Sequence, residues 1–220
     1  KAEGSFILPD NVPANEFLNL EGNKISTSQN WAVWLHEYLE DFPNKEDVLR
    51  YTLCSIIPET KDSDFTWKDF QSKNNNELLA IFGNFVNRSM VLIHKYFEGK
   101  VPQTGILRQD SVDVLEKINS LICEIEKSIE AFRFREALSL FIEIARQGNK
   151  YLTDNEPWKK QKTDAEHCAE TLAVSVQIMA KLSVVSEPFL PFTSNKLISL
   201  LNLKAEKWEQ SKRDNLLNEV

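Results

Sequence analysis

Three short stretches carry the residue types that could do chemistry. The first is EGNKISTSQNW, residues 21–31, where a Gly-Asn turn and Lys24 run into Ile25, Ser26, Thr27 and Ser28. Hydroxyl side chains such as Thr27 and Ser28 can cap the orphan N–H groups of a helix start. The same groups beside a lysine can also hold a phosphate. The second stretch is IFGNFVNRS, residues 81–89. Asn84 and Arg88 stand four apart and so share one helix face, with Lys95 on roughly the same side. An amide can pair with a base edge; a guanidinium can pair with a base or a phosphate and can also stack. Gly83 costs a helix about 1 kcal/mol relative to Ala, which suggests that something approaches the backbone there. The third is TDNEPWKKQK, residues 153–162. Pro157 suits a first helical turn, Asn155 is a candidate cap, and Trp158 sits beside Lys159, Lys160 and Lys162. That Trp is either a plug on a bundle end or a platform for an unpaired base, worth ~1–3 kcal/mol per base. On these residues alone the ordinary readings (cap, solvated polar pair, end plug) stay open.

Other chemistries are poorly supplied. Cys54, Cys123 and Cys168 are far apart, with no C-x-x-C pair, so neither a metal site nor a disulfide framework is expected and a reducing cytosol is the simplest home. His36, His94 and His167 are equally scattered. There is no G-x-S-x-G, H-E-x-x-H or G-x-x-x-x-G-K-[ST]. The acid pairs Glu40/Asp41 and Glu124/Glu126 fall where a solvated helix face would put them. A net charge of −7 argues against an indiscriminate nucleic-acid binder. A nucleic-acid role needs local basic patches, and two candidates exist: Arg88, Lys95 and Lys100, and Arg146, Lys150, Lys159, Lys160 and Lys162.

The elements that must position these residues are mostly helical in period. Apolar content of 42% with 27% charged residues is that of a globular chain able to bury a core. No apolar run is read as reaching the ~18–20 residues of a membrane span. A start without Met or a signal peptide leads to the expectation that the chain begins inside a longer protein. EFLNLEGNKIS suggests a strand, a Gly-Asn turn and a return strand. NWAVWLHEYLEDF reads as a helix ending at Pro43, and Asn44 as the cap of a second helix ending at Pro58. ETKDSDFTWKDF is an extended or irregular linker pinned by Phe65, Trp67 and Phe70. A long helix is expected from about Trp67 to Glu98, its seam formed by Leu78, Phe82, Phe85, Ser89, Leu92 and Tyr96. Further helices are expected from Asp110 or Ser111 as cap, from Phe132 to Leu152, from Trp158 to Val185 and from Pro188 to Leu201. A polar tail follows, docked at most by Trp208 or by Leu216 and Leu217. The fold class is therefore mainly α: an antiparallel helical bundle after a small α+β segment.

Taken together, the three stretches resemble the methionyl-tRNA synthetase family of class I aminoacyl-tRNA synthetases. KISTS, Lys24 to Ser28, stands where that family's KMSKS signature stands. NNNELLAIFGNFVNRS, residues 74–89, resembles the opening of its anticodon-binding bundle, and NEPW, Asn155 to Trp158, resembles the PW element facing it. The resemblance implies three parts: residues 1–68 as the end of a catalytic domain with a stem-contact segment, 69–203 as the anticodon-binding bundle, and 204–220 as a polar tail. It implies that Lys24 has a catalytic role on ATP phosphates, within the loop Lys24, Ile25, Ser26, Thr27 and Ser28. It implies that Asn84, Arg88 and Trp158 read and stack a CAU anticodon. ATP with Mg2+ would serve the full-length enzyme, zinc would belong only to an upstream part, and no metal is expected on this chain. The implied partners are tRNA(Met), with methionine and ATP through the upstream domain, in the cytoplasm, with no DNA and no membrane. The signature's second lysine is Thr27 here, which can donate a hydrogen bond but cannot neutralise pyrophosphate charge. The rival readings are a helical adaptor for a protein partner, which the order of the motifs does not fit, and a synthetase of leucine, isoleucine or valine type, over which GNFVNR with PW favours methionine.

Overall fold

The structure is a computed structural model that describes residues 7, 9–204, 208 and 211. It begins with a small sheet. Strand β1 (Leu18–Leu20) turns into β2 (Asn23–Lys24) and lies parallel to β3 (Ser63–Phe65), in the order β2-β1-β3. The turn residues are Glu21 and Gly22, at φ 49° and 76°, one position earlier than the expected Gly-Asn pair. A two-residue turn with both central residues at positive φ matches the twist of the strands it joins. Asp64 on β3 accepts from Gly22 N at 2.9 Å, and Glu21 accepts from Trp67 N at 2.8 Å, so the turn is tied to the chain that returns beside it. The expected linker thus contributes a strand, too short and polar to show a period.

Nine α-helices and one π-helix follow among the described residues: α1 (Leu35–Asp41), α2 (Glu46–Ile56), α3 (Trp67–Lys73), the π-helix Asn74–Gly83, α4 (Asn84–Phe97), α5 (Gln109–Glu130), α6 (Phe134–Asn155), α7 (Pro157–Thr163), α8 (Ala165–Val185) and α9 (Pro191–Leu200). The expected long helix is present as one continuous rod from Trp67 to Phe97, with a π-helical middle. It ends on Glu98 and Gly99, both at positive φ, as helix C-termini commonly do. The expected helix from Trp158 to Val185 is two helices, because Asp164 breaks the first and its side chain accepts from His167 N to cap the second.

Several caps fall elsewhere. Thr27 and Ser28 lie in a turn rather than at a helix start; α1 begins at Leu35, after Trp34, with no side-chain cap. Asn44 is a left-handed residue at φ 61°, and Lys45 occupies the cap of α2. Arg108, not Asp110 or Ser111, precedes α5, and Glu156, not Asn155, precedes α7. Of these side chains, Ser111 and Asn155 are engaged in tertiary hydrogen bonds instead, which local spacing does not show.

Two cores result. Leu20, Tyr38, Val48, Phe65 and Phe70 are buried under the sheet, where Phe42 stacks on Trp67 at 5.6 Å between ring centroids. The bundle core gathers Phe85, Ile118, Ile122, Phe141, Leu172 and Met179 among many others. Helix α8 is long and apolar enough to cross a membrane by length and composition, contrary to the sequence reading, but 94% of that stretch is buried as the central bundle helix. Trp208 packs against the same core, while Leu216 and Leu217 lie outside the described residues. Helix α2 joins the two cores, with Val48 in one and Tyr51 in the other. Its buried Asp47 accepts from Thr193 N at 2.6 Å and from Phe192 N at 3.3 Å, satisfying orphan donors of α9.

Helices α6 and α4 approach closely at Gly148 on α6, where a Cβ would meet the Phe85 ring at 2.6 Å. Replacing Gly148 by Val should destabilise the fold by about 1–3 kcal/mol through overpacking, read as a lower denaturant midpoint. Asp47→Ala should cost about 1 kcal/mol through the lost cap. An unchanged midpoint in either variant would contradict the packing described.

Candidate nucleic-acid interface

Asn84 opens α4 and Arg88 lies one turn on, both facing α6. Asn84 Nδ2 donates to Asn149 Oδ1 at 3.0 Å, and Arg88 Nη1 donates to the same oxygen at 3.3 Å. Arg88 also donates to Thr153 Oγ1, at 3.4 Å from each terminal nitrogen. The orientation of Asn149 is fixed by its own nitrogen, which donates to the carbonyls of Ile81 at 2.8 Å and Ala145 at 3.2 Å. Its oxygen must then face the pair on α4. Thr153 Oγ1 donates to Asn149 O at 2.9 Å, which leaves its lone pairs for Arg88. The guanidinium carbon sits 5.5 Å from the Trp158 ring centroid, a cation–π distance. Among the described residues Arg88 has no ion pair, so its charge is uncompensated by carboxylate, and 38% of Trp158 is exposed beside it. An exposed amide, an unneutralised guanidinium and an open indole face together offer base-edge pairing, an anion contact and a stacking surface.

The three residues picked from the sequence here are thus brought together. Asn149 and Thr153 were missed; their signal is the same spacing of four on the facing helix. Lys95 is not part of the cluster and lies 5.3 Å from the Tyr96 ring, and Lys159 pairs with Glu156 at 2.6 Å. Gly83 answers its question differently from the expectation. What approaches it is the Leu78 carbonyl of its own π-helix, 3.1 Å from where a Cβ would be. Segments of π-helix are rare and concentrate at functional sites.

Trp158 is placed by an elbow. Glu156 at φ 42° turns α6 into α7, and Pro157 starts α7. Buried Asn155 donates to Tyr151 O at 3.2 Å, and its Oδ1 lies 2.7 Å from His167 Nε2, a nitrogen that Arg108 Nη1 also approaches at 2.6 Å. Arg108 contacts the other ring nitrogen at 3.1 Å and donates through its backbone N to Glu170 at 2.8 Å. Ser111 bridges Glu170 and the Tyr151 hydroxyl. Burial, then the charges of Arg108 and Lys160, hold the His167 pKa below its ordinary value. Burial pushes the Glu170 carboxyl up, but hydrogen bonds from Ser111 and Arg108 more than offset this and leave it lowered.

The loop after β2 is a separate site. Ser26 and Trp31 exchange backbone hydrogen bonds at 2.9 and 2.8 Å, and Asn30 N donates to Thr27 O at 3.1 Å, closing a tight turn. Trp31 Nε1 donates to Leu20 O at 3.0 Å and moors the turn to β1. Lys24 is exposed, 5.8 Å over the Phe17 ring, and the Ser26 and Ser28 hydroxyls lie 3.2 Å apart. An ammonium and two hydroxyls on an exposed turn are groups that can bind an anion. No group of three His, Cys, Asp or Glu among the described residues could hold a metal ion.

Residues 1–90 match the family model of class I tRNA synthetases (M). Residues 101–220 match that of the anticodon binding domain of methionyl tRNA ligase. The chain belongs to this methionyl-tRNA ligase family. It is 58% identical over 219 residues to a methionine–tRNA ligase of Phocaeicola vulgatus, covering 100% of this chain and 32% of that protein. It is 61% identical over 202 residues to one of Porphyromonas gingivalis, covering 92% and 30%. The chain therefore spans about a third of the length of these relatives. The Mycobacterium tuberculosis methionyl-tRNA synthetase solved with methionyl-adenylate superposes with a TM-score of 0.79 at 23% identity, over 90% of this chain and 39% of that one, and so shares the fold. The mainly helical fold class and the methionyl-tRNA ligase resemblance are borne out, and the adaptor reading gives way to them.

The elbow network gives this ligase-family chain an acid-sensitive stability. Both shifts are downward, so the unfolded chain binds more protons at acid pH and stability falls as pH drops. The His167 share is lost from about pH 6.5 downward and the Glu170 share from about pH 4.3 downward. Glu170→Gln and His167→Gln should each flatten that acid limb in denaturant midpoints measured against pH. An acid limb as steep in both variants as in the parent would refute the network's role.

Proposed function

We propose that this chain is the tRNA-recognition part of a methionine–tRNA ligase, reading the CAU anticodon of tRNA(Met) with Asn84, Arg88 and Trp158. Asn149 and Thr153 orient the first two. The observation that carries the reading is the uncompensated Arg88 guanidinium, held at once by Asn149, Thr153 and the exposed indole of Trp158. A stack-and-pair site of this kind suits unpaired bases of a loop, not a duplex. Residues 1–68 serve as the end of the catalytic domain and the stem-contact segment, 69–203 as the anticodon-binding bundle and 204–220 as its tail.

The full-length enzyme would activate methionine with ATP and Mg2+ and transfer it to tRNA in the cytoplasm, with zinc, if any, held upstream of this chain. ATP supplies the adenylate and pyrophosphate as leaving group. In the loop Lys24, Ile25, Ser26, Thr27 and Ser28, the Lys24 ammonium binds phosphate and the Ser26 and Ser28 hydroxyls orient it. Thr27 adds a hydroxyl where the signature has a second cation, so the loop brings one positive charge. By itself the chain binds tRNA and does not form adenylate.

Titration of the chain at low salt with tRNA bearing CAU or a changed anticodon tests the site. Preference for CAU is expected, with roughly tenfold or greater loss in Trp158→Ala, consistent with ~1–3 kcal/mol per stacked base. Arg88→Ala should lose it as well. Equal binding of all anticodons by parent and variants would overturn the assignment. In a protein that includes the upstream domain, Lys24→Ala should slow methionyl-adenylate formation far more than it weakens methionine binding. An unchanged rate would remove Lys24 from the phosphate role.

A further inference from the structure

The face of α6 that carries Asn149 and Thr153 continues toward its N-terminus through Arg146, Ser139 and Arg135, and the successive spacings of four, three, seven and four keep them aligned. Between this face, α2 and the junction of α3 with the π-helix lies a cleft of ≈ 290 Å3. Lys73, Arg135 and Arg146 line it together with two carboxylates. Glu77 is satisfied internally: one oxygen takes Lys73 at 2.7 Å and the other the Tyr51 hydroxyl. Burial and then that bond to Glu77 push the Tyr51 phenol far up, so it stays a neutral donor. Glu136 is bridged by Arg133 at 3.0 Å. Arg146 is held only at 3.6 Å by Glu143, with 49% of its side chain exposed, and Arg135 makes no ion pair among the described residues. Two guanidiniums therefore face a cleft whose carboxylates are already engaged, on a chain of net charge −7.

We propose that this cleft is a phosphate site that takes a phosphodiester of the tRNA whose bases reach Arg88 and Trp158. The inference rests on the anticodon reading above and extends it to backbone contact. Guanidinium forks fit phosphate oxygens in pairs. Contacts of this kind fix register without reading sequence. The position is suitable. From Arg146 to Thr153 is seven residues along α6, roughly 10 Å at 1.5 Å per residue. Lys73 lies on the rod that leads from the small sheet unit to Asn84, which puts the cleft between those two parts of the rod.

The test is the salt dependence of tRNA binding by the 220-residue chain, with anticodon preference measured alongside. The double variant Arg135→Gln/Arg146→Gln should reduce the slope of log K against log salt by about 1–2, with preference for CAU retained. Ser139→Glu, which sets a carboxylate at the cleft and removes no cation, should weaken tRNA binding in the same sequence-independent way and covers the case of a misfolded double variant. Unchanged slope and affinity in these variants would overturn the proposal while leaving the anticodon reading intact if Trp158→Ala still abolishes preference. A parent chain that never prefers CAU, yet loses slope in the double variant, supports the phosphate site and removes the anticodon reading instead. Inorganic phosphate provides the last arm. If it binds the parent and not the variants while the tRNA slope is unchanged, the cleft takes a free anion and the backbone proposal falls.

Discussion

The contact between Gly148 and the Phe85 ring sets the geometry on which the interface depends. Only a residue without a Cβ lets α6 and α4 come this close, because any side chain would start 2.6 Å from the ring. The neighbours of these two residues are the polar ones. Asn149 follows Gly148 and Asn84 precedes Phe85, so the apolar contact brings the amides within 3.0 Å of each other. Arg88 then falls between Asn149 and Thr153. A spacing wider by the width of a methyl group would leave these bonds unmade and the guanidinium unplaced, since hydrogen bonds weaken steeply beyond about 3.5 Å.

The site is also organised from both ends. On one side the π-helix delivers the Ile81 carbonyl to Asn149, which orients the amide that in turn orients Asn84 and Arg88. On the other, the Asn155–His167–Arg108 chain holds the elbow from which Trp158 projects. Asn149, Asn155 and His167 lie on helices and Arg108 on the residue before α5, and a part-buried polar network of this kind rigidifies the arrangement. The loop at Lys24 is built differently. It is a tight exposed turn moored by Trp31, and Lys24 is exposed with no ion pair among the described residues. Residues 1–90, which include this turn, match the class I synthetase family model.

Much of the fold was legible in the amino-acid sequence. Apolar residues three and four apart marked the rod from Trp67 to Phe97 and helices α5 and α6, because burying one face of a helix requires that period. Three motifs in order, KISTS, GNFVNRS and NEPW, carried the family. What the sequence reading lost was governed by partners distant in the chain. Asn44, Ser111 and Asn155 have the chemistry of caps, but a capping side chain is chosen by competition with tertiary acceptors, and Ser111 and Asn155 are taken by Tyr151, Glu170 and His167. Strand β3 is three residues long and polar at Asp64, so it is a strand only because β1 lies beside it.

The sequence by itself determined the helical class and the family and singled out Asn84, Arg88 and Trp158, since residue type and local spacing are enough for each. Tertiary structure decided that Asn84, Arg88 and Trp158 meet, that Asn149 and Thr153 complete them, and that Gly83 is approached by its own helix. The physical reason is the same in each case. Whether two polar groups pair depends on the distance between helices, and that distance is set by packing at Gly148 and Phe85, sixty-odd residues apart in the chain.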